Sequence, residues 1–301
     1  MGRFLETARL GARRSPGWAK ELMRGLLYRR KRSAIRSFSD RVSRYTGGLE
    51  GKRVLEVGSD GGGYLVRQLK QRHLAETVVG INPALPASTP APGCRLESAD
   101  VREMPYAEAS FDTIVSCSAF EHIHDLDQAL AEMFRVLRPG GCLYSHFGPI
   151  WSAAFGHHLW MLHEGRTYTY WNTILPPFCH LLMAEQELER YCQERFGDGL
   201  GGRIAEYVLR SPEQSRMAFE DYERVFADSP FDVLLFKGYD DSEARALYEV
   251  EDMQPTLALL RDLHQGEAPA VYDGITVLLC KGQAADHSFP SGWQLMHAGL
   301  E

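Results

Sequence analysis

A short apolar run ends in a cluster of glycines at Arg53-Val54-Leu55-Glu56-Val57-Gly58-Ser59-Asp60-Gly61-Gly62-Gly63. The apolar run predicts a buried β-strand, and the pattern over Tyr64–Arg72 predicts a helix after it. At such a junction, backbone N–H groups and a helix N-terminus face a ligand, which glycines allow to approach because they lack a Cβ. The stretch therefore predicts a ligand-binding loop in an α/β fold.

Strands and helices continue to alternate along the chain. Six more apolar runs predict strands at Thr77–Ile81, Cys94–Ser98, Phe111–Cys117, Cys142–Phe147, Phe231–Phe236 and Ile275–Cys280. Leu126–Leu137 has the apolar spacing of a helix, and Pro139-Gly140-Gly141 stops it. This alternation predicts an α/β fold, with a doubly wound, mostly parallel seven-stranded sheet and helices on both faces.

The chain divides into five predicted segments, because the alternation covers only part of it. They are a basic N-terminal helical arm over 1–48, a core over 49–148, an inserted aromatic-rich helical cap over 149–230, the last core strands over 231–282 and a C-terminal tail over 283–301. Residues 1–53 hold 15 Lys or Arg against four Asp or Glu, although the whole chain has a net charge of −7. Such an arm either meets nucleic acid, membrane or a phosphorylated substrate, or packs on its own acidic domain.

The cysteines and the hydropathy indicate the compartment. The six cysteines are scattered without a CxxC pair, so we expect reduced thiols. No apolar run reaches the roughly 18 residues of a membrane span, and no signal-peptide pattern is visible. We therefore expect a cytoplasmic protein without a membrane span.

The identity of the ligand follows from Glu56 and from the order of the motifs. A carboxylate at the strand end suits a cationic amino group rather than a pyrophosphate, which favours S-adenosylmethionine over NAD. Five motifs occur in order, at Val54-Leu55-Glu56-Val57-Gly58, Val78-Val79-Gly80-Ile81-Asn82-Pro83, Ala99-Asp100-Val101, Phe111-Asp112-Thr113-Ile114-Val115-Ser116 and Phe134-Arg135-Val136-Leu137-Arg138-Pro139-Gly140-Gly141. Together they closely resemble the class I (Rossmann-like) S-adenosylmethionine-dependent methyltransferases of the small-molecule type. The resemblance covers 52–148 well and the last two strands loosely.

The resemblance implies S-adenosylmethionine as the cofactor and assigns a set of cofactor-binding residues. These are Glu56, Gly58, Ser59, Asp60, Asn82, Asp100, Val101, Ser116 and Cys117. Glu56 and Gly58 match positions that hold the methionine part of the cofactor. Ser116 and Cys117 match positions beside that part. Asp100 and the backbone of Val101 match positions that bond the adenine.

Two residues depart from the family pattern. Asp60 replaces the usual middle glycine of the loop, and Asn82 replaces the acid that normally accepts both ribose hydroxyls. Hydrogen bonds to charged groups contribute about 1.5–3 kcal/mol, against about 0.5–1.5 for neutral ones. We therefore expect weaker or rearranged ribose binding.

Aromatic residues and histidines are concentrated in the predicted cap. They are Trp151, Phe155, His157, His158, Trp160, His163, Tyr168, Tyr170, Trp171, Phe178 and His180. They form either the core of the insertion or a lid with an aromatic substrate pocket. His157, His158 and His122 are the candidate catalytic residues, as a base or as hydrogen-bonding groups. We predict no metal site, because adjacent histidines on a helix point about 100° apart and do not easily share one ion unless the backbone is irregular. Whether the cap histidines are catalytic, metal-binding or structural stays open.

The leading function is in-line methyl transfer to an oxygen or nitrogen of a small-molecule acceptor, aromatic or natural-product in kind. Such a transfer needs few catalytic residues, because the cofactor supplies the leaving group and the protein aligns the reactants. One alternative within the same fold cyclises or cleaves the aminocarboxypropyl arm and releases methylthioadenosine. A nucleic-acid methyltransferase and a non-catalytic scaffold are further alternatives. The acidic remainder of the chain argues against a nucleic-acid partner, and a homodimer stays open.

Overall fold

The glycine-rich loop joins a buried strand to a helix, as predicted. The structure is a computed structural model, and it describes residues 33–170, 174–240 and 272–282. The first 32 residues of the predicted arm, Trp171 and the predicted tail lie outside the described residues. The strands are β1 (Arg53–Val57), β2 (Thr77–Ile81), β3 (Ser88–Ala91), β4 (Cys94–Glu97), β5 (Phe111–Cys117), β6 (Leu137–Phe147), β7 (Trp160–His163), β8 (Arg166–Thr169), β9 (Asp232–Tyr239) and β10 (Gly274–Cys280). The helices are α1 (33–45), α2 (Tyr64–His73), α3 (Leu126–Val136), α4 (Cys179–Leu182), α5 (Glu185–Phe196), α6 (Asp198–Arg210) and α7 (Phe219–Asp228), with a 3-10 turn, η1, at Phe120–His122.

The main sheet has the strand order β3-β4-β2-β1-β5-β6-β10-β9. From β4 to β6 neighbouring strands run parallel, whereas β10 is antiparallel to both β6 and β9. The prediction of a mostly parallel α/β sheet is confirmed. The predicted number of seven strands is wrong, because β3 adds an eighth strand from a Pro-rich stretch that reads as a loop. Pro90 is tolerated in β3 because this strand forms the sheet edge, where a missing N–H breaks no ladder bond.

Helices cover both faces of the sheet, as the alternating pattern predicts. On one face, α3 and α7 contribute buried side chains such as Met133, Tyr222 and Phe226 to a core that includes β1 and β5. On the other face, α1 and α2 contribute residues such as Phe38 and Leu69. The described part of the N-terminal arm therefore belongs to the core packing of the sheet.

The inserted region has a hydrophobic cluster of its own, which includes Leu159, Leu188 and Ile204. It contains helices α4 to α6, as the prediction of a helical cap requires, and also the two-stranded hairpin β7–β8, which the prediction did not include. Glu164 and Gly165 join the two strands with φ of 48° and 72°. Two successive positive φ values match the twist of a two-residue hairpin turn, and Gly165 adopts one of them without a Cβ penalty.

A disulfide joins β6 and β10 between Cys142 and Cys280. The expectation of reduced thiols is therefore wrong at this pair, while the other four cysteines are free. The two residues lie directly opposite each other in the antiparallel ladder, which the sequence spacing alone does not reveal. Among the described residues, no helix combines the length and apolar character needed to cross a membrane.

Candidate active site

A cleft of about 470 Å³ lies at the carboxyl ends of the parallel strands. In open α/β sheets this edge is where ligands bind. The cleft is lined by Val57, Gly58, Ile81, Asn82, Pro83, Ala99, Asp100, Val101, Arg102, Ser118, Ala119, His122, Ile123, His124 and Glu213. Five of the predicted site residues, namely Gly58, Asn82, Asp100, Val101 and His122, therefore meet in one cavity.

The loop after β1 requires a glycine at its first position. Gly58 has φ of +85°, and a Cβ added there would lie 2.2 Å from the Cβ of Ala119. The N–H groups of Gly58 and Ser59 both donate to the carbonyl of Ile81, at 2.9 and 3.0 Å. The β1 loop is thereby fixed to the end of β2 and lies against the chain that follows β5.

Asp60, which replaces the usual glycine, interacts with the backbone of its own loop. Its Oδ1 accepts hydrogen bonds from the N–H groups of Gly62 and Tyr64, at 3.0 and 3.3 Å. These bonds supply the cap at the start of α2 that Gly63 cannot provide, because glycine has no side chain. Asp60 is not among the residues that line the cleft.

Glu56 lies behind the loop, only 5% exposed. Its Oε2 accepts a hydrogen bond from the hydroxyl of Ser59 at 2.8 Å. Burial raises the pKa of Glu56 to about 8, and the Ser59 bond acts in the opposite direction. A cationic group placed against this carboxyl would favour its ionised form.

Ser116 and Cys117, at the end of β5, also lie outside the cleft lining. The hydroxyl of Ser116 donates to the carbonyl of Val57 at 3.0 Å, which ties β5 to β1. Burial raises the pKa of the Cys117 thiol to about 12, so this thiol stays protonated at neutral pH. The structure thus gives Ser116 a role in holding β1 just before the loop, whereas Cys117 packs partly buried against the core on the α1 and α2 face of the sheet.

The side chain of Asn82 bridges two backbone segments. Its Nδ2 donates to the carbonyl of Ser59 at 3.2 Å, and its Oδ1 accepts from the N–H of Ala84 at 2.9 Å. A carboxylate would keep the second bond but could not make the first, since it has no donor when ionised. Only the amide can therefore make both hydrogen bonds at this position, one as a donor and one as an acceptor.

Asp100 is held by Arg102, a residue that the sequence did not single out. The guanidinium of Arg102 reaches both carboxylate oxygens of Asp100, the shortest contact being 2.7 Å, and also bonds Asp125 at 3.2 Å. The hydrogen bonds from Arg102 lower the pKa of Asp100. The backbone N–H of Arg102 also donates to Oδ1 of Asp100 at 2.9 Å, so this one residue supplies most of the roughly four hydrogen bonds that an ionised carboxylate accepts.

The chain after α6 borders the cleft through Glu213 and is bonded to residues 121–124 of the core. Nδ1 of His122 lies 2.6 Å from the carbonyl oxygen of Glu213, and Nε2 of His124 lies 2.6 Å from that of Pro212. The carbonyl of Glu121 accepts a hydrogen bond from the N–H of Ser215 at 3.0 Å. Because a carbonyl only accepts, the proton of neutral His122 resides on Nδ1, and Nε2 keeps its lone pair.

The structure brings His158 of the cap to His122 of the core. Their ring centroids lie 4.8 Å apart. Burial lowers the pKa of His158 to about 3, and His122 acts in the same direction. Glu121 lies beside them at 1% exposure, and burial raises its pKa to about 8. The sequence did not identify Glu121 as a site residue, although it directly precedes His122.

His157 does not join this group. It packs against His180, with ring centroids 5.6 Å apart, and its Nδ1 accepts from the N–H of Leu159 at 3.2 Å. Residues 157 and 158 form an irregular turn in which His158 has φ of +50°. The two adjacent histidines therefore occupy different environments, one deep in the cap and the other beside the cleft.

Comparison with known proteins agrees with this geometry. Residues 55–145 match the model of a family described as a methyltransferase domain. The chain contains a class I S-adenosylmethionine-dependent methyltransferase domain. The predicted resemblance is thereby confirmed, and S-adenosylmethionine is the cofactor of the domain.

Three relatives of the methyltransferase domain show how far the similarity extends. Demethylmenaquinone methyltransferase of Deinococcus radiodurans is 35% identical over 35% of this chain and 47% of its own. Malonyl-[acyl-carrier protein] O-methyltransferase 1 of Coxiella burnetii is 37% identical over 32% of this chain and 34% of its own. Ubiquinone/menaquinone biosynthesis C-methyltransferase UbiE of Bdellovibrio bacteriovorus is 28% identical over 51% of this chain and 66% of its own. The chain thus spans less than half the length of the first two relatives.

Proposed function

We propose that this protein transfers the methyl group of S-adenosylmethionine to an oxygen or nitrogen atom of a small-molecule acceptor. The observation that carries the proposal is the meeting of His122, which lines the cofactor cleft, with His158 of the cap. A cap side chain therefore lies beside the cavity of the methyltransferase domain, where an acceptor would approach.

The described residues fit the cofactor. A cavity of about 470 Å³ lies within the roughly 300–1,000 Å³ range of small-molecule sites. Glu56 and Gly58 would hold the methionine amino group and backbone, Asn82 the ribose, and Asp100 with the N–H of Val101 the adenine. The cofactor supplies a methyl group on a sulfonium, which is a good leaving group.

Ser59, Asp60, Ser116 and Cys117 would act indirectly on cofactor binding. Ser59 bonds the Glu56 carboxyl, and Asp60 caps the helix that follows the loop. Ser116 fixes the carbonyl of Val57, one residue before Gly58. We assign these residues to the shape of the loop.

His122 is the group best placed to receive a proton from the acceptor. Its Nδ1–H is engaged by the carbonyl of Glu213, which leaves the lone pair of Nε2 available. Its ring is exposed at the cleft, whereas His157 is 1% exposed. In this proposal His158 positions the ring of His122, and His157 supports the cap.

The cap over 149–230 and the basic arm would enclose the acceptor. Tyr170 packs edge-on against His158, with ring centroids 4.9 Å apart, and extends the cap surface there. In the arm, Arg41 is near enough to Cys117, at the end of β5, to oppose the rise in pKa that burial causes there. The proposal has both segments close over the methionine end of the cleft, the cap through His158 and the arm through Arg41.

The names of the relatives suggest which acceptors to test. Demethylmenaquinone is a quinone, and malonyl-[acyl-carrier protein] carries a free carboxylate on a thioester. A panel of phenols, quinols, amines and acyl thioesters therefore covers the chemistry of the relatives. Because one relative is a C-methyltransferase, the methylated atom must be located in the product by NMR.

The test uses S-adenosylmethionine labelled in its methyl group. We expect one molecule of S-adenosylhomocysteine to form for each molecule of acceptor that becomes labelled. General-base catalysis contributes about 10²–10⁴-fold, so His122→Asn should lower kcat by at least tenfold while leaving S-adenosylhomocysteine binding within about twofold. His163→Asn, a cap variant outside the cleft, is the matched control. Release of methylthioadenosine in place of S-adenosylhomocysteine would contradict methyl transfer.

A further inference from the structure

Three metal-ligating side chains converge beside the cofactor cleft. Glu121, His122 and His158 each offer one ligand atom, and these atoms all lie within 4.8 Å of one another. Two of the residues are neighbours in η1, and the third comes from the cap. The group therefore forms only when the cap is folded against the core.

Two of these side chains carry buried polar atoms without a hydrogen-bond partner among the described residues. They are Oε2 of Glu121 and Nδ1 of His158. Glu121 is 1% exposed and His158 is 9% exposed. Buried polar groups in proteins are almost always hydrogen-bonded, so each such atom requires a partner. A cation between them would satisfy both.

Hydrogen bonds engage the other polar atoms of Glu121 and His122. The second oxygen of Glu121 accepts from the N–H of Gly148 at 3.3 Å, which directs Oε2 away from that bond. The Nδ1–H of His122 is bonded to the carbonyl of Glu213, as the distal N–H of a metal-bound histidine usually is. Gln214 lies within hydrogen-bonding reach of His158.

We propose that Glu121, His122 and His158 bind one divalent transition-metal ion at the edge of the cofactor cleft. Two imidazole nitrogens and one carboxylate oxygen suit Zn²⁺, Co²⁺, Mn²⁺ or Fe²⁺ better than Mg²⁺ or Ca²⁺, which prefer oxygen ligands. Ligands of a tetrahedral ion with bonds of about 2.1 Å lie about 3.4 Å apart, so binding would draw the three side chains slightly together.

This site differs from the one that the sequence argues against. Adjacent His157 and His158 do not share an ion here, because only His158 faces the core. Three protein ligands leave at least one coordination position open, and His122 places that position on the cleft side. A hydroxyl or carboxylate oxygen of the acceptor would occupy it, and because Nε2 of His122 would then be bound to the ion, the ion in place of the free imidazole would assist loss of the acceptor's proton. This last step rests on the proposed function, whereas binding of the ion does not.

The experiment titrates metal-free protein with Co²⁺ in the absence of cofactor and acceptor, and follows the visible absorption of the bound ion. We expect one ion per chain. Glu121→Gln, His122→Asn and His158→Asn should each weaken binding by about tenfold or more, since even partners of the ligands contribute 10–100-fold. His163→Asn should bind like the wild type.

Each sample is also titrated with S-adenosylhomocysteine, which separates this inference from the proposed function. A protein that binds S-adenosylhomocysteine but no Co²⁺ or Zn²⁺ at millimolar concentration overturns the metal site alone. Undiminished Co²⁺ binding by His122→Asn also overturns it. That variant is decisive because the His122 ring is exposed and its replacement spares the core, even where His158→Asn fails to fold.

Discussion

The side-chain amide of Asn82 donates a hydrogen bond to the backbone carbonyl of Ser59, with 3.2 Å between Nδ2 and the oxygen. This bond connects the loop after β2 to the glycine-rich loop after β1. The family pattern has an acid at this position, so the amide adds a loop contact that an acid cannot make. One side chain thus connects the two loops at the edge of the cleft.

Asn82→Asp should therefore destabilise the cofactor-free protein. The carboxylate keeps the acceptor for the N–H of Ala84 but loses the donor to Ser59, which corresponds to about 0.5–1.5 kcal/mol. Urea unfolding at neutral pH measures the change. Asn82→Ala removes both bonds and should be the less stable of the two. An Asp variant as stable as the wild type would show that the Ser59 bond contributes nothing.

Gly58→Ala should abolish binding of S-adenosylhomocysteine. A positive φ costs a residue with a Cβ about 1–2 kcal/mol, and the methyl group would also overlap Ala119 at 2.2 Å. The loop must then move away from the cleft. Calorimetric titration measures binding, and thermal unfolding measures stability.

Gly202→Ala is the matched control for Gly58→Ala. Gly202 lies within α6, and a Cβ there meets nothing within 4 Å. Alanine favours helices over glycine by about 1 kcal/mol, so this variant should be slightly more stable and bind normally. Normal binding by Gly58→Ala would contradict the structure of the loop.

Cofactor binding should release about one proton near pH 7. The pKa of Glu56 is about 8 in the free protein, so its carboxyl is mostly protonated at neutral pH. The cationic amino group of the cofactor favours the carboxylate, and affinity should rise with pH up to about 8, by at most tenfold per unit. Calorimetry in buffers of different ionisation enthalpy counts the protons. In Glu56→Gln the proton release should vanish, and its persistence would exclude Glu56 as the source.

The same carboxyl should make the free protein less stable at higher pH. In the unfolded chain Glu56 ionises near 4.5, whereas in the folded protein it ionises near 8. Between these values the folded state binds more protons, so the contribution of Glu56 to the free energy of unfolding falls as pH rises. Urea unfolding at pH 5 and pH 8 should show a smaller difference in Glu56→Gln than in the wild type. Equal differences would contradict the raised pKa.

The pairing of Cys142 with Cys280 predicts four titratable thiols in unreduced, denatured protein and six after reduction. Loss of a native disulfide costs about 2–5 kcal/mol. A reductant should therefore lower the melting temperature of the wild type and leave that of Cys142→Ser unchanged. Six thiols without reduction would disprove the bond.

The parallel strands were the most predictable part of the fold. The runs at Arg53–Val57, Thr77–Ile81 and Phe111–Cys117 became β1, β2 and β5 with the same bounds, since continuous apolar residues are needed where both faces of a sheet are covered. Strand β3 was missed because Pro90 and the polar residues around it indicate a loop. Only the free edge of the sheet makes a strand possible there.

The candidate site was predictable where it follows the ends of these strands. Gly58, Asn82 and Asp100 met in one cavity because the carboxyl ends of parallel strands share one edge. The neighbourhood of His122 and His158 was not predictable, since it depends on the path of the cap and on the positive φ of His158. For the same reason Glu121, although it directly precedes His122 in the sequence, gave no signal of its own.

The hydrogen bonds from His122 and His124 end on the main-chain carbonyls of Glu213 and Pro212. A main-chain carbonyl remains available as a hydrogen-bond acceptor whatever side chain occupies either position. The side chains of the segment that carries Pro212 and Glu213 can therefore change without breaking its bonds to His122 and His124. Under the proposed function, substitution of Glu213, which lines the cleft, should change the preference for the methyl acceptor while the two histidines keep the segment in place.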